Sequence, residues 1–281
     1  MGKDTHFSAF SINVQHNLVT FDRPAVMGIL NVTPDSFFDG GRFLDPHAMV
    51  RQAGLLLRQG ADILDVGVVS SRPGAVMPPP DVEAPRLAAA VAALRQAFPS
   101  AIISVDTCFA LPARRAIEAG ADMINDIGAG QFDADMFDLV ADAQVPYVMM
   151  HTRGLPAVMQ ANSHYDDIIA DITLYFSQRL DRLYRLGVKD VWIDPGFGFA
   201  KTLQQNFELL SRLDELMRIF PQPLLVGLSR KSMVCQSLHC TPRQALNGTT
   251  VLNTRALLLG ARALRVHDPR QAREAVALFS L

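Results

Sequence analysis

The sequence nowhere runs for 18 residues without Asp, Glu, Lys or Arg, so a transmembrane helix is not expected. It also lacks a charge excess of either sign: 26 Lys and Arg stand against 28 Asp and Glu. That balance argues against a dedicated nucleic-acid binder or a membrane-surface protein, which would carry a strong basic excess. Cysteine is scarce. Cys108, Cys235 and Cys240 are too few for a disulfide framework in 281 residues and suit a reducing cytosol. Cys235, His239 and Cys240 have no second Cys/His pair nearby, so buried thiols are a better reading than a metal site. Gly (18) and Pro (17) are at ordinary usage, which excludes collagenous and low-complexity segments. The N-terminal stretch has no apolar h-region, so no signal peptide is expected. His6 stands where a myristoylation signal needs Ser or Thr.

What is present is core-forming material. Hydrophobic residues make up 49% and charged residues 19%, with a mean hydropathy of +0.15, which excludes intrinsic disorder. Eight short runs rich in Val and Ile end in polar residues: Ala25–Asn31, Asp62–Gly67, Ala101–Asp106, Asp122–Ile127, Val145–His151, Val191–Asp194, Pro223–Ser229 and Ala263–His267. They recur about every 34 residues, a βα-unit spacing. Between them lie helical segments. Leu44–Gly60 opens on Asp45-Pro46 and closes on Gly60; Pro112–Gly120, Tyr165–Gly187, Leu203–Phe220, Thr241–Leu259 and Pro269–Phe279 follow.

Continuous apolar strands alternating with helices imply a parallel sheet, and eight units point to an α/β (β/α)8 TIM barrel. An open doubly wound sheet is the alternative, but no GxGxxG follows the first strand; GFGFAK after the sixth does not fill that role. Residues 1–22 read as an N-terminal β-hairpin, FSINV and LVTF around His16-Asn17, closing the barrel bottom. The expectation is one domain over 1–281. Trp192 and Met149 read as strand packing, and Pro78-Pro79-Pro80 as a rigid entry to the next helix.

A barrel of this class builds its site from the C-terminal strand ends and the loops after them. The polar residues there are Asn31, Ser71, Arg72, Asp106, Asn125, Asp126, His151, Asp194, Ser229, Arg230, Lys231, Arg265 and His267. A single strand-end Asp is as easily a helix cap as a ligand. A full ring of such groups is harder to explain that way. Asp106, Asn125 and Asp194 offer carboxylate and amide groups that can pair with a flat, nitrogen-rich heterocycle. Arg72, Lys231, Arg265 and His267 suit phosphate. Asn31 with Asp35 supplies oxygen ligands for a hard cation such as Mg2+. The pattern reads as heterocycle plus pyrophosphate.

The motifs MGILNVTPDSF (27–37), SSRPGA (70–75), SVDT (104–107), INDI (124–127), MMH (149–151), DPGFGF (194–199), SRKS (229–232) and RVHD (265–268) closely resemble the dihydropteroate synthase family, over Ala25 to Leu278. The resemblance implies a pterin-binding barrel, commonly a cytoplasmic homodimer and a sulfonamide target. Such a transferase joins a pterin pyrophosphate to 4-aminobenzoate in folate biosynthesis. Carried over residue by residue, it implies that Asp106, Asn125, Asp194 and Lys231 hold the pterin, with Met150 and Arg265 on its faces. Asn31, Arg265 and His267 would bind pyrophosphate, and Asn31 would also ligate Mg2+. Phe37, Ser71, Arg72 and Pro73 would complete the aminobenzoate site from two loops, with Phe199, Lys231 and Ser232; Ser71 would also reach the pterin ester. Arg72, Lys231, Arg265 and His267 are the implied catalytic set. Where many members read GGESTRPGA, this chain has Val68 and Val69 after Gly67, replacing a glycine and a carboxylate. A non-catalytic pterin-binding paralogue and a pterin-dependent methyltransferase domain are the competing functions. Intact NVTPDSF and RVHD disfavour both.

Overall fold

The structure, a computed structural model, describes residues 8–32, 46–69, 77–155 and 159–279. Its main sheet has eight parallel strands: β3 (Ala25–Asn31), β4 (Ile63–Gly67), β5 (Ile102–Asp106), β6 (Met123–Asp126), β7 (Tyr147–Met150), β8 (Val191–Asp194), β9 (Leu225–Val226) and β10 (Ala263–Val266). They lie in the order β8-β7-β6-β5-β4-β3-β10-β9, with β10 pairing directly beside β3. A parallel bridge, Ile193 to Leu224, joins β8 to the start of β9 and closes the ring. The barrel expected from the eight runs is the fold, and the open sheet is excluded.

Helices α1 (Pro46–Arg58), α2 (Pro80–Ala97), α3 (Ala110–Glu118), α4 (Met136–Ala143), α5 (Ile168–Arg185), α6 (Leu203–Ser211), α7 (Leu213–Ile219), α8 (Ser232–Leu238), α9 (Leu246–Leu258) and α10 (Pro269–Phe279) connect the strands. Gly60, with φ +96°, ends the turn after α1 where an L side chain would be strained. Asp167 caps α5 by accepting from the backbone of Ile169 and Ala170, and Thr202 with Gln205 forms a capping box on α6. The segment read as one helix over 203–220 is two, broken at Arg212. Leu209, Leu210, Leu213, Leu216 and Phe220 are all buried, so the apolar spacing runs through the break and hides it. The helix expected from Thr241 begins at Leu246. Thr241 and Gln244 instead close a single turn on each other, with Gln244 Oε1 accepting from the Thr241 backbone at 3.0 Å. Helices α4 and α8 were not foreseen.

The N-terminal hairpin pairs β1 (Phe10–Val14) with β2 (Asn17–Phe21). Its turn residues are Gln15 and His16, one position earlier than expected, both at positive φ (49° and 64°) as a primed hairpin turn requires. Ile12, Val14 and Phe21 pack on the inward residues at the strand starts, Met27, Ile63, Met123, Val148, Trp192, Leu225 and Ala263. The Trp192 ring meets Phe10 and Phe21 edge-on, with centroids 5.3 and 6.1 Å away. The hairpin is the barrel floor.

Candidate functional site

Side chains alternate faces along a strand, so the residue two positions beyond each floor residue also points inward. On β4 that step leads from Ile63 to Asp65, on β6 from Met123 to Asn125, and on β7 from Val148 to Met150. On β8 it leads from Trp192 to Asp194, and on β10 from Ala263 to Arg265. On β5, Ile102 is followed by Ser104 and then Asp106. One step up β4, β5, β6, β8 and β10, the apolar floor becomes a polar layer. The intervening residues, among them Leu64, Ile103, Ile124, Met149, Ile193 and Leu264, face the helices in the outer core.

Arg265 is the hub of that layer. Its Nε donates to Asp65 Oδ2 and its Nη2 to Asp106 Oδ2, both at 2.6 Å. Asn125 Nδ2 also donates to Asp65 Oδ2 at 3.0 Å, and Ser104 Oγ to Asp65 Oδ1 at 2.7 Å. Asn125 thus spends an amide N–H on Asp65, which leaves its carbonyl for an incoming donor. Burial alone would lower the Arg265 pKa, but the carboxylates of Asp65 and Asp106 outweigh it and raise it. Burial pushes the Asp106 carboxyl up to about 6, against the pull of Arg265. Burial also raises Asp194, opposed by Lys231 and by the Gly196 N–H, which donates to Asp194 Oδ1 at 2.7 Å.

Lys231, at the N-terminus of α8, is pushed down to about 8 by burial, with Asp194 acting in the opposite sense. Its Nζ donates to the Phe197 carbonyl and lies 4.8 Å from the Phe199 ring centroid. Ser232 follows it, exposed at the first position of α8. Met150, Cys108 and Ile127 form a small apolar patch at this end, with Phe199 packed against it. On β10's following loop, the His267 backbone N–H donates to Ser229 Oγ at 3.1 Å, while that hydroxyl lies 2.9 Å from His267 Nδ1. A hydroxyl has one proton and two lone pairs, so Ser229 holds the His267 ring in place whichever of its nitrogens carries the proton. Asn31 ends β3; its Oδ1 is 3.7 Å from where a Cβ on Gly67 would stand.

The structure therefore brings together Asp106, Asn125, Met150, Asp194, Phe199, Lys231, Ser232 and Arg265 at one end of the barrel, with Asn31 and His267 at strand ends beside them. Three other strand-end residues serve loops instead. Asp126 faces the helices, accepting from the Tyr147 hydroxyl and from the backbone of Gly128 and Gly130. His151 is buried against Tyr175 and Lys201. Arg230 forms a two-point ion pair with Asp268 at 2.7 and 2.9 Å. Asp35, Phe37, Ser71, Arg72 and Pro73 lie outside the described residues. Among those described, no group of three or more His, Cys, Asp and Glu stands together in a way that could hold a metal ion.

Two site residues were missed from sequence. Asp65 sits mid-strand in DILDVG rather than at its end, and counting strand parity from Ile63 would have found it. Glu83 on α2 is buried; burial raises its carboxyl to about 7, and its Oε2 has no hydrogen-bond partner. It lines a small cavity with Asp106, Thr107, Cys108, Met77, Ile127 and Val69. Val69, the departure noted above, thus keeps a further carboxylate away from two buried ones.

Chemically, the layer presents acceptor edges (Asp106, Asn125 and Asp194) beside a guanidinium and an ammonium. It can take a flat ring bearing N–H donors with an anionic substituent. The family model for pterin binding enzymes matches residues 27–267. The chain is 42% identical to a dihydropteroate synthase from Synechocystis over 88% of this chain and 86% of that protein. Its fold matches Yersinia pestis dihydropteroate synthase in a sulfonamide drug complex (TM-score 0.88, 38% identity, covering 96% and 97% of the two chains). It also matches Xanthomonas albilineans dihydropteroate synthase with 4-aminobenzoic acid (TM-score 0.89, 36% identity, 97% of both chains). On that family match and that identity, the chain belongs to the pterin binding enzyme family, in its dihydropteroate synthase branch.

Proposed function

We propose that the polar layer is the pterin half of a dihydropteroate synthase site, where 6-hydroxymethyl-7,8-dihydropterin pyrophosphate condenses with 4-aminobenzoate to give 7,8-dihydropteroate and pyrophosphate. The observation that carries this reading is the acceptor edge of Asp106, Asn125 and Asp194, held in one interior layer with Arg265 and Lys231. Carboxylates accept from the ring amino and N–H groups, Asn125 contributes its carbonyl, and Arg265 and Met150 flank the ring. Asn31, Arg265 and His267 hold the pyrophosphate. Phe199, Lys231 and Ser232 face the aminobenzoate, with Phe37, Ser71, Arg72 and Pro73 brought from the loops.

The reaction breaks the methylene C–O bond and forms a C–N bond, and the aryl amine releases a proton. That amine is uncharged at neutral pH, so attack needs no strong base; stabilising the departing pyrophosphate is the harder task. Arg265, Lys231 and His267 provide positive charge and N–H donors for it. Asn31 supplies a neutral oxygen, with Asp35 as the second expected from the sequence, which fits Mg2+ arriving with the pyrophosphate and keeping several waters. When bound, Mg2+ neutralises charge on the leaving group.

No described helix is long and apolar enough to cross a membrane. Three free cysteines support a cytoplasmic setting. The chain works as a homodimer in this reading, supported by the exposed Val251, Leu258 and Leu278 on the α9–α10 face. Leu258→Glu with Leu278→Glu would then give a monomer in light scattering. The function is tested by pyrophosphate release with both substrates and Mg2+. Turnover should stop when 4-aminobenzoate is omitted, and a sulfonamide should compete with it. Release without dihydropteroate formation would sink the assignment.

A further inference from the structure

Lys201 is a buried lysine to which no contact with substrate is assigned. Its Nζ lies 2.9 Å from the Gly196 carbonyl, 3.1 Å from the Phe199 carbonyl and 3.0 Å from His151 Nδ1. All of its polar capacity is spent inside the protein, on the segment that follows β8 and on the end of β7. Burial drives its pKa well below the usual lysine range, with Asp194 opposing the shift. A buried lysine with so expensive an environment calls for a reason other than stability.

The segment it holds carries contacts for both substrates. Asp194 opens it and takes the Gly196 N–H; the Phe197 carbonyl receives Lys231 Nζ; the Phe199 ring lies under Lys231. The backbone coils tightly, with φ of 71° at Gly196, 80° at Gly198 and 49° at Ala200. A Cβ on Gly196 would come within 2.0 Å of the His151 carbonyl, so the coil is pressed directly onto β7. The coil turns the carbonyls of Gly196 and Phe199 toward a single point, and Lys201 Nζ occupies it. His151 provides the fixed end: its ring is wedged against Tyr175, centroids 4.8 Å apart. Asn206 clamps the outer side by accepting from Gly198 N–H at 2.6 Å.

We propose that Lys201 is a positioning residue that sets the Asp194 carboxylate and the Phe199 ring together, so that one buried side chain governs both the pterin and the 4-aminobenzoate subsites. The inference rests on the assignment of Asp194 and Phe199 to those subsites. A residue acting only on stability would lower the melting temperature and leave affinities alone.

The experiment compares Lys201→Met, Lys201→Gln, Asp194→Asn and the floor variant Trp192→Phe with the parent. It reads pterin-analogue affinity by calorimetry, KM for 4-aminobenzoate, and melting temperature. Lys201→Met should weaken pterin binding about tenfold and raise the 4-aminobenzoate KM about fivefold, the scale of a lost charge-assisted hydrogen bond. Lys201→Gln, which retains two N–H donors, should recover part of both losses. Trp192→Phe should lower the melting temperature with both values within about twofold of the parent. If folded Lys201→Met keeps both constants within about twofold, Lys201 is a stability residue and the proposal is wrong. Should Lys201→Met fail to fold, Lys201→Gln decides in the same way. Parent-like binding by Asp194→Asn would instead overturn the subsite assignment beneath it.

Discussion

The floor and the mouth of this barrel are built from the same strands, two residues apart, and they have opposite chemistry. At the floor, Met27, Ile63, Met123, Trp192 and Leu225 meet the hairpin's Ile12, Val14 and Phe21 in a dry apolar cluster. One inward step higher, Asp65, Asn125, Asp194 and Arg265 form a charged layer, with Asp106 above Ser104 on β5. The floor gains stability from burial, at about 25 cal/mol per Å2 of apolar surface. The mouth gives some of that back by burying carboxylates whose pKa values rise and a lysine whose pKa falls. Stability and function are separated along one axis, as expected for a barrel whose chemistry lies at the strand C-termini.

The sharpest way to break that comparison is Arg265→Ala. It leaves Asp65 and Asp106 buried without their cation, which should cost about 3–5 kcal/mol of stability and abolish measurable turnover. Denaturant unfolding and the pyrophosphate assay check it. A stable, active variant would mean that the layer is not an ion network. Next is Trp192→Ala, which should cost a similar 3–5 kcal/mol through lost packing at the floor. Pterin affinity should hold where the variant remains folded. An affinity loss beyond about tenfold would show that floor and mouth are coupled.

Glu83 sharpens the contrast through pH. Its folded pKa, about 7, is above the ordinary 4.5, so its contribution favours folding at low pH and is lost as pH rises through about 7. Glu83→Gln should match the parent near pH 5 and exceed it near pH 8 by up to roughly 3 kcal/mol. Equal stability at both pH values would show that the carboxyl is not buried in its charged form. The smallest expected effect is on binding. The pterin needs an ionised acceptor at Asp106, so affinity should fall below about pH 6, by at most about tenfold per pH unit for each carboxyl protonated. Lys231, at about 8, sets the alkaline limb. Calorimetry across pH 4.5–9 on the parent and Asp106→Asn tests this. An unchanged acid limb in the variant would remove Asp106 from the titration.

Particular elements show how far the sequence could be read. β3 and β8 have the bounds expected from AVMGILN and VWID, because strands buried on both faces are continuous apolar runs. The site residues at strand ends were legible for the same reason: a polar residue closing such a run stands out. Asp126, His151 and Arg230 stood out equally and turned out to hold loops, since local sequence does not say which face of the wall a strand-end side chain takes. Asp65 went unseen because a lone carboxylate inside a run looks like noise until parity is counted from the floor. Glu83 gave no signal, for Asp106 and Thr107 beside it are distant along the chain, and Lys201, though visible in GFGFAK, meets a His151 that is 50 positions away.

The sequence by itself determined the repeating strand–helix order, the hairpin, the polar strand ends and the family, because periodicity, turn chemistry and motif are local properties of the chain. Only the tertiary structure decided that Arg265 would join Asp65 and Asp106, that Ser229 would hold the His267 ring, and that Lys201 would tie β7 to the segment after β8. Closing the ring places residues as many as 200 positions apart within hydrogen-bond reach. The protonation of each buried group then follows from the neighbours and the desolvation that closure imposes.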